Sequence, residues 1–292
     1  MSGWGCCEQI VTGRPLVLKF GGELLEDRAN LASVVAAVAA IVNGSSREPV
    51  VIVHGGGKEI DAALKTAGIE KRQVDGLRIT DAATLDIVVS VLAGAVNTRF
   101  VAALNTAGVA AVGLTGADAR CGLSVAAPAH QAVDGRLVEL DRVGVPCADM
   151  DPRVLHTLAR DRFVPVVACI GLGEDGQLFN VNADTLAGHL AARLGARRLV
   201  IAGTTPGVLG ADNDTLPRLE SNAIAALVAG GTATAGMIAK LRACEHALDG
   251  GVDDVVIVDG RDKDALVAAA IGDAPPRATR LSAGLKACAT ER

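Results

Sequence analysis

The chain has 292 residues, of which 50% are hydrophobic and 21% are charged, and its formal net charge is −5. A chain with this much apolar material builds a core, so the composition excludes a disordered protein. The length corresponds to one large or two modest domains. Nucleic-acid binding is not expected, because it needs clustered lysine and arginine rather than a mildly acidic balance. We also expect no membrane span, because every stretch of about 18 residues contains a charge or a glycine.

The amino-terminal residues and the cysteines both indicate a cytoplasmic protein. Residues 1–12 lack the basic segment followed by an apolar one that marks a secretory signal. The seven cysteines are odd in number, and Cys169 and Cys244 lie in apolar runs, where reduced core thiols are expected. Residues 1–14 and 283–292 are expected to be peripheral to the fold.

Short apolar runs rich in β-branched residues alternate with helical patterns along the chain. Nearly every position in these runs is apolar, which is typical of strands covered on both faces of a sheet. The predicted strands are residues 16–20, 50–54, 111–114, 164–170, 199–202 and 255–259. Glycine commonly follows a helix terminus, and the predicted helix ends meet Gly44, Gly68, Gly108, Gly195, Gly230 and Gly250. The alternation predicts an α/β fold, a three-layer αβα sandwich with a mainly parallel central sheet.

Two Asp-Gly pairs interrupt this alternation in the middle of the chain. Each lies between two strand-like runs, which indicates a β-hairpin. Asp134-Gly135 separates residues 124–133 from 136–140, and Asp175-Gly176 separates residues 171–174 from 177–180. We expect these hairpins to form a lid or the rim of a site.

The first predicted strand contains Lys19 near its end and is followed by Gly21 and Gly22. Ligands of open α/β sheets bind at the carboxyl ends of strands, and backbone amides exposed at glycines can receive an anion. A lysine in a buried strand is costly unless a negative group meets it. The alternative is a lysine that reaches solvent beside an ordinary Gly-Gly turn, and this segment alone does not decide between the two.

Three glycines, Gly55, Gly56 and Gly57, connect the second predicted strand to a helix. Their free N–H groups, together with the positive end of the helix dipole, would hold a phosphate or a carboxylate. A tight turn alone needs one glycine, so we favour an anion site over a purely structural turn. We expect His54, which precedes the glycines, to be a structural hydrogen-bonding residue rather than a base.

Polar residues at three other predicted helix starts have both functional and ordinary interpretations. Arg78 could bind a carboxylate with both arms of its guanidinium group or be a plain loop arginine. Thr80 or Asp81 would cap the long helix that follows. Asp184 could equally be an N-cap, and Lys240 could be a solvated helix lysine. Taken singly, none of these residues indicates a function.

Taken in order, five segments resemble the amino-acid kinase family, and most closely its N-acetylglutamate kinase branch. They begin with LVLKFGG and VIVHGGGKEID and continue over residues 74–97, 164–196 and 230–252. The resemblance covers nearly the whole chain, from Pro15 to Leu281. GLRITD before a long helix, together with NVNAD, separates this branch from the aspartate, uridylate and carbamate kinases.

The resemblance implies transfer of a phosphoryl group from ATP to the side-chain carboxylate of N-acetyl-L-glutamate, giving an acyl phosphate for arginine biosynthesis. It implies that Lys19 and Lys240 neutralise the phosphoryl oxygens and that Asp184 orients both lysines. Gly22 and the amides near Gly56 would donate hydrogen bonds to the transferring group. Positioning and cationic stabilisation provide most of the catalysis in such reactions. Mg²⁺ would bridge phosphate oxygens without a protein ligand.

The same resemblance assigns the rest of the site. Contacts to acetylglutamate are implied for Gly56, Gly57, Arg78 and Asn180, with Arg78 on the α-carboxylate. Nucleotide contacts are implied for Thr204, Thr205, Gly207, Val208, Leu209 and Thr234. One kinase domain is implied over residues 15–282, with a substrate and dimer lobe at 15–195 and a nucleotide lobe at 196–282.

The chain departs from the family pattern in the nucleotide lobe. Thr204 stands where the family usually has an aspartate, so a carboxylate that could contact the ribose is missing. Ala235 replaces the usual glycine or aspartate, which is a milder change. The chain has no tyrosine and one tryptophan, Trp4, so adenine would lie between aliphatic side chains. The segment before Pro15 is shorter than the helix of arginine-inhibited members, so we expect neither hexamers nor arginine feedback.

We expect a homodimer formed through the long helix after Thr80. Its apolar stripe suits either a core or a subunit contact and consists of Leu85, Val88, Leu92 and Val96. A PII-type regulator is not indicated. Two alternatives to an acetylglutamate kinase stay open: a sister kinase for acetylaminoadipate or succinylglutamate, and a non-catalytic acetylglutamate-binding regulatory subunit.

Overall fold

The computed structural model describes residues 13–44, 48–132, 135–210, 212, 214–229, 235–272 and 274–283. The strands in these ranges are β1 Leu16–Phe20, β2 Val50–His54, β3 Gln73–Val74, β4 Leu77–Arg78, β5 Ala111–Thr115, β6 Ser124–Ala126, β7 His130–Gln131, β8 Leu137–Val138, β9 Val143–Pro146, β10 Val164–Ala168, β11 Ile170–Leu172, β12 Leu178–Val181, β13 Arg198–Gly203, β14 Arg218–Glu220, β15 Asp254–Asp259 and β16 Ala278–Ser282. The helices are α1 Gly22–Glu26, α2 Arg28–Val42, α3 Gly57–Thr66, α4 Ala82–Val89, α5 Asn97–Thr106, α6 Arg153–Arg160, α7 Ala183–Arg193, α8 Ser221–Ala229, α9 Ala235–Asp249 and α10 Lys263–Ile271. A π-helical segment, Ser90–Val96, joins α4 to α5.

The central sheet contains eight of the described strands, in the order β14-β16-β15-β13-β1-β2-β10-β5. Neighbouring strands are parallel except β15 and β16. Strand β1 lies in the interior of the sheet and is buried along its whole length. One group of helices, α2, α5 and α10, packs together, and α7 packs against α9. This architecture confirms the predicted αβα fold with a mainly parallel sheet.

Two predicted strands are wrong in extent because the chain changes sheets. The predicted strand 164–170 leaves the central sheet after Ala168, where its partners β2 and β5 also reach the end of the ladder. Ile170 then begins β11 in a second sheet, whose order is β11-β12-β9-β6. The run 124–133 is likewise not one strand, since β6 pairs with β9 and β7 pairs with β8.

Both predicted hairpins have a counterpart in the fold. Strands β11 and β12 pair antiparallel around Asp175-Gly176, and Gly176 has a φ of +84°, a conformation that favours glycine. Strands β7 and β8 form the other hairpin around Gly135, and Asp134 lies outside the described residues.

The long helix after Thr80 continues from α4 through the π-helical segment to α5. Asp81 caps it, because its side chain accepts a hydrogen bond of 2.8 Å from the Thr84 N–H. The apolar stripe that begins at Leu85 and ends at Val96 is buried inside this one chain, so its side chains belong to the core. By length and composition alone, Ala82–Thr106 is long and apolar enough to cross a membrane. In the fold, Phe100 on this helix is fully buried within the protein.

His54 connects β2 to the long helix through a buried hydrogen-bond network. Its Nε2 lies 3.0 Å from Asn97 Nδ2, and its Nδ1 lies 3.0 Å from the Gly55 carbonyl oxygen. Asn97 Nδ2 also donates to the Val166 carbonyl at 2.9 Å, which fixes the orientation of the amide. Nε2 therefore accepts and Nδ1–H donates, as a neutral ring requires. This agrees with a structural role for His54.

We expect His54 to make stability depend on pH in the acid range. Burial lowers its pKa from 6.5 to about 4, so below pH 6.5 the unfolded chain binds a proton that the folded chain excludes. The contribution is fully present above pH 6.5 and is lost as pH falls toward 4, on the order of 3 kcal/mol in total. Urea unfolding of the wild-type protein and His54→Gln at pH 7 and pH 4.5 measures this, and equal losses in both proteins would contradict it.

Candidate active site

Three strand ends meet at one edge of the central sheet. Phe20 at the end of β1 is in register with His54 of β2 and with Ala202 of β13. The Gly21 N–H donates to the Ala202 carbonyl at 3.0 Å, and the Gly55 N–H donates to the Phe20 carbonyl at 3.1 Å. The glycine turns after β1 and β2 are therefore held side by side, next to the segment that follows β13.

The two glycine turns touch, and the contact depends on Gly22. A Cβ at Gly22 would lie 2.5 Å from Gly56 Cα and 2.7 Å from Gly56 N, a distance that backbone cannot accommodate without moving. The N–H groups of Gly22, Gly56 and Gly57 have no acceptor within the ranges that the structure describes. The prediction of three free amides in the second turn is wrong for Gly55, since its N–H is used to join β2 to β1.

Lys19, Asp184 and Lys240 form one buried cluster beside these amides. Lys19 Nζ lies 2.8 Å from Asp184 Oδ1, and Lys240 Nζ lies 3.2 Å from Oδ1 and 3.4 Å from Oδ2 of the same carboxylate. Lys19 comes from β1, Asp184 from the start of α7 and Lys240 from α9. The fold thus brings together all three charged residues that were predicted to form the catalytic set.

The electrostatics of the cluster favour the charged forms of Lys19 and Asp184 and oppose the charged form of Lys240. Burial opposes ionisation of Asp184, but the two neighbouring ammonium groups outweigh it, so the pKa of Asp184 is lowered. Burial also opposes the charge on Lys19, yet the nearby Asp184 raises the pKa of Lys19. The pKa of Lys240 is lowered by burial and by repulsion from Lys19. With both lysines protonated the cluster has one net positive charge, and an anionic ligand beside Lys240 would favour that charged form.

Asn182, which was not among the predicted site residues, performs the capping role considered for Asp184. Its side-chain oxygen accepts hydrogen bonds from the N–H groups of Asp184 and Thr185, at 2.9 and 3.1 Å. The N-cap interpretation of Asp184 is therefore wrong. Because Asn182 accepts the hydrogen bonds from these N–H groups in the first turn of α7, the Asp184 carboxylate is free to face the two lysines.

A cavity of about 250 Å³ opens at this edge of the sheet. Its lining includes the expected substrate-side residues Lys19, Gly22, Gly56, Gly57, Arg78, Asn180 and Asp184. Cys169, at the point where the chain changes sheets, also lines it. Burial raises the pKa of this thiol to about 12, so Cys169 is a neutral wall residue rather than a nucleophile.

Arg78 and Asn180 are held by partners that were not predicted from the sequence. Arg78 Nη2 donates to Asp61 and, at 3.3 Å, to the Gly57 carbonyl. Arg78 Nη1 is buried and has no hydrogen-bond partner within the described residues. Asn180 Nδ2 donates to Thr80 Oγ1 at 3.1 Å. Since Asp61 and the Gly57 carbonyl already accept from Nη2, the arm of the guanidinium group that is left for a substrate carboxylate is Nη1.

The expected nucleotide segment follows β13 but does not line the cavity. The Arg261 side chain donates to the Thr204 carbonyl at 3.1 Å, and the Val208 N–H donates to Thr279 Oγ1 at 2.8 Å. Gly207 has a φ of +101°, and a Cβ there would lie 2.5 Å from Thr279 Oγ1. Thr205 and Leu209 are exposed. Thr234 lies outside the described residues.

The acidic residues at the cavity allow a test of whether Mg²⁺ fits. Within the described ranges, no group of three or more His, Cys, Asp or Glu side chains is arranged to hold a metal ion. Glu23 and Asp184 line the cavity, and the oxygens of Asp184 are engaged by lysines. The Glu23 carboxylate remains. A single carboxylate fits Mg²⁺, which proteins commonly hold through one or two carboxylates together with substrate phosphates and water.

Comparison with known proteins identifies the family. A model of the amino acid kinase family matches residues 14–259. The chain is 42% identical over 255 residues to acetylglutamate kinase from Granulibacter bethesdensis, covering 85% of this chain and 84% of that protein. N-acetylglutamate synthase from Neisseria gonorrhoeae, solved with coenzyme A and N-acetyl-glutamate, has the same fold at a TM-score of 0.76 and 23% identity, over 94% of this chain and 61% of the other. Carbamate kinase from Giardia also has this fold, at a TM-score of 0.66 and 15% identity, over 93% of this chain and 99% of the other. The chain belongs to the amino acid kinase family.

Proposed function

We propose that the protein is a kinase that transfers the γ-phosphoryl group of ATP to the side-chain carboxylate of N-acetyl-L-glutamate. The observation that carries the proposal is the buried Lys19–Asp184–Lys240 cluster beside the free amides of Gly22 and Gly56. The similarity to acetylglutamate kinase from Granulibacter bethesdensis over most of both chains supports the choice of substrate.

The reaction forms one bond and breaks one bond at phosphorus. A carboxylate oxygen of the acid attacks the γ-phosphorus, the bond to the β,γ-bridging oxygen breaks, and ADP leaves with that electron pair. The carboxylate carries no proton, so no general base is needed. The chief obstacles are repulsion between two anions and charge on the transferring oxygens, and both are reduced by fixed cations and N–H donors.

Each residue of the cluster has a role in this step. Lys19 and Lys240 neutralise the transferring oxygens, and Asp184 holds both ammonium groups in place. The N–H groups of Gly22 and Gly56 donate to the same oxygens. Because these groups are fixed before the substrate binds, little reorganisation is needed in the transition state.

The substrate and nucleotide ends are assigned on different grounds. At the substrate end, Arg78 would bind the α-carboxylate and Asn180 the acetamido group, because both line the cavity. At the nucleotide end, Thr204, Thr205, Gly207, Val208, Leu209 and Thr234 are proposed contacts. When bound to the nucleotide, Mg²⁺ would neutralise phosphate oxygens. The same proposal includes a single domain with two lobes, a homodimer and a cytoplasmic location.

Release of ADP, measured with and without N-acetyl-L-glutamate, tests the proposal. We expect MgATP to be consumed only when the acid is present, with one ADP formed per acid phosphorylated. Nucleotide that leaves the melting temperature unchanged would instead support the non-catalytic binding protein, since a ligand specific to the folded state must stabilise it.

We expect Arg78→Lys to weaken substrate binding more than turnover. An ammonium group lacks the two fixed planar arms with which Arg78 can contact Asp61 and a substrate carboxylate at the same time. The KM for N-acetyl-L-glutamate should rise by about tenfold or more, while kcat changes by less than about threefold. Steady-state kinetics at saturating MgATP measures both values. Arg72→Lys, at an exposed arginine in the same region, is the matched control, and an equal effect in the two variants would contradict the role of Arg78.

A further inference from the structure

Glu23 is a carboxylate at the cavity that the proposed reaction leaves without a role. It lies in the first turn of α1, immediately after the Gly21-Gly22 turn. Its side chain folds back over that turn, since a Cβ at Gly21 would lie 2.3 Å from Oε1 and 2.4 Å from Oε2 of Glu23. Within the described part of the chain, no residue forms an ion pair or a hydrogen bond with this carboxylate.

The carboxylate lies between the catalytic cluster and the segment after β13. Glu23 Oε1 is 3.3 Å from the position that a Cβ would occupy on Gly203, the residue before Thr204. On the other side, the charge of Glu23 acts on Lys19 and helps to raise the pKa of that lysine. A triphosphate that extends from the Gly22 amide toward Thr204 would therefore pass Glu23.

A metal-free triphosphate that passes Glu23 would be repelled by its carboxylate, because both groups are negatively charged. A divalent cation between them converts the repulsion into attraction. Mg²⁺ prefers oxygen ligands, keeps several waters, and is commonly bound by one or two carboxylates plus substrate phosphates. Asp184 cannot serve, because its oxygens accept hydrogen bonds from Lys19 and Lys240. Among the described residues that line the cavity, Glu23 is left as the acidic ligand.

We propose that Glu23 binds the Mg²⁺ of the nucleotide, directly or through a metal-bound water, and thereby makes the site select MgATP over metal-free ATP. The inference rests on the proposed function, because it requires ATP as the donor. It replaces the expectation that Mg²⁺ meets no protein ligand.

Isothermal titration calorimetry on the full chain tests the inference without turnover. ATP is titrated in EDTA and, separately, with excess Mg²⁺, into the wild-type protein and Glu23→Gln. We expect the wild-type protein to bind MgATP about tenfold more tightly than free ATP. In Glu23→Gln the two affinities should converge, because free ATP binds more tightly than to the wild-type protein and MgATP binds more weakly. A change in packing alone would move both affinities in the same direction.

Glu26→Gln is the matched control. It removes the same charge from the same helix, and Glu26 is not among the residues that line the cavity. We expect its preference for MgATP to equal that of the wild-type protein. If Glu23→Gln keeps the wild-type preference for MgATP over free ATP, the inference is overturned but the proposed function is not. A wild-type protein that binds neither form of ATP would overturn the proposed function and the inference with it.

Discussion

Replacing Lys240 with alanine is expected to lower kcat by about two to four orders of magnitude, the range typical for removal of a fixed group that stabilises transition-state charge. Lys240 Nζ lies 3.2 Å from Asp184 Oδ1 and is mostly buried, so no solvent cation takes its place. Without it, Asp184 faces only Lys19 across the site, and the net positive charge of the cluster is lost. The KM for N-acetyl-L-glutamate should change little, because Arg78 and Asn180 stay in place.

Steady-state ADP release at saturating substrates measures this effect. Lys65→Ala is the matched control, since Lys65 is an exposed lysine in the last turn of α3, and it should retain the wild-type rate. A kcat within tenfold of wild type in Lys240→Ala would show that the lysine does not stabilise the transferring group. Folded protein is verified by a cooperative urea transition in each variant.

Gly22→Ala is expected to reduce activity by at least about a hundredfold, because a displacement of about 1 Å in a positioning element has this effect on reactions that depend on geometry. The new Cβ would lie 2.5 Å from Gly56 Cα and 2.9 Å from Gly57 N. These are backbone atoms, so the two glycine turns must separate, and their amides no longer converge. Overpacking of this kind also costs about 1–3 kcal/mol of stability.

Gly57→Ala separates the loss of geometry from the loss of a glycine. A Cβ at Gly57 would meet no atom within 4 Å, so the free energy of unfolding should stay at or slightly above the wild-type value. Urea unfolding of both variants, with kcat for Gly22→Ala, makes the comparison. Full activity in Gly22→Ala would contradict the close contact between the two turns.

The parts of the fold that local sequence patterns encode were predictable. Apolar runs indicated β1, β2 and β13, and the rule that ligands bind at strand ends placed Lys19 and Gly22 at the correct edge of the sheet. The antiparallel strand β16 and the switch of sheets at Cys169 were not predicted. Both depend on which strands run out of partners in the assembled sheet, and local periodicity carries no information on that.

The candidate site shows the same division. The residue pattern at Lys19 left a ligand contact open, and Asp184 alone indicated no function. Periodicity could not bring together a strand, the start of α7 and α9, whereas the family resemblance did so. Two contacts were missed because they depend on competition between neighbours. Asn182 takes the cap that Asp184 could have provided, and Asp61 occupies one arm of Arg78.

Trapping of the product with hydroxylamine tests the central claim most directly. An acyl phosphate reacts with hydroxylamine to give a hydroxamate, so the assay reports the bond that the proposed reaction forms. The acids to compare at equal concentration are N-acetyl-L-glutamate, acetylaminoadipate, succinylglutamate and aspartate. We predict hydroxamate equal in amount to ADP, with N-acetyl-L-glutamate as the preferred acid. Hydroxamate from another acid and none from N-acetyl-L-glutamate would contradict the substrate, and ADP without any hydroxamate would contradict the reaction itself.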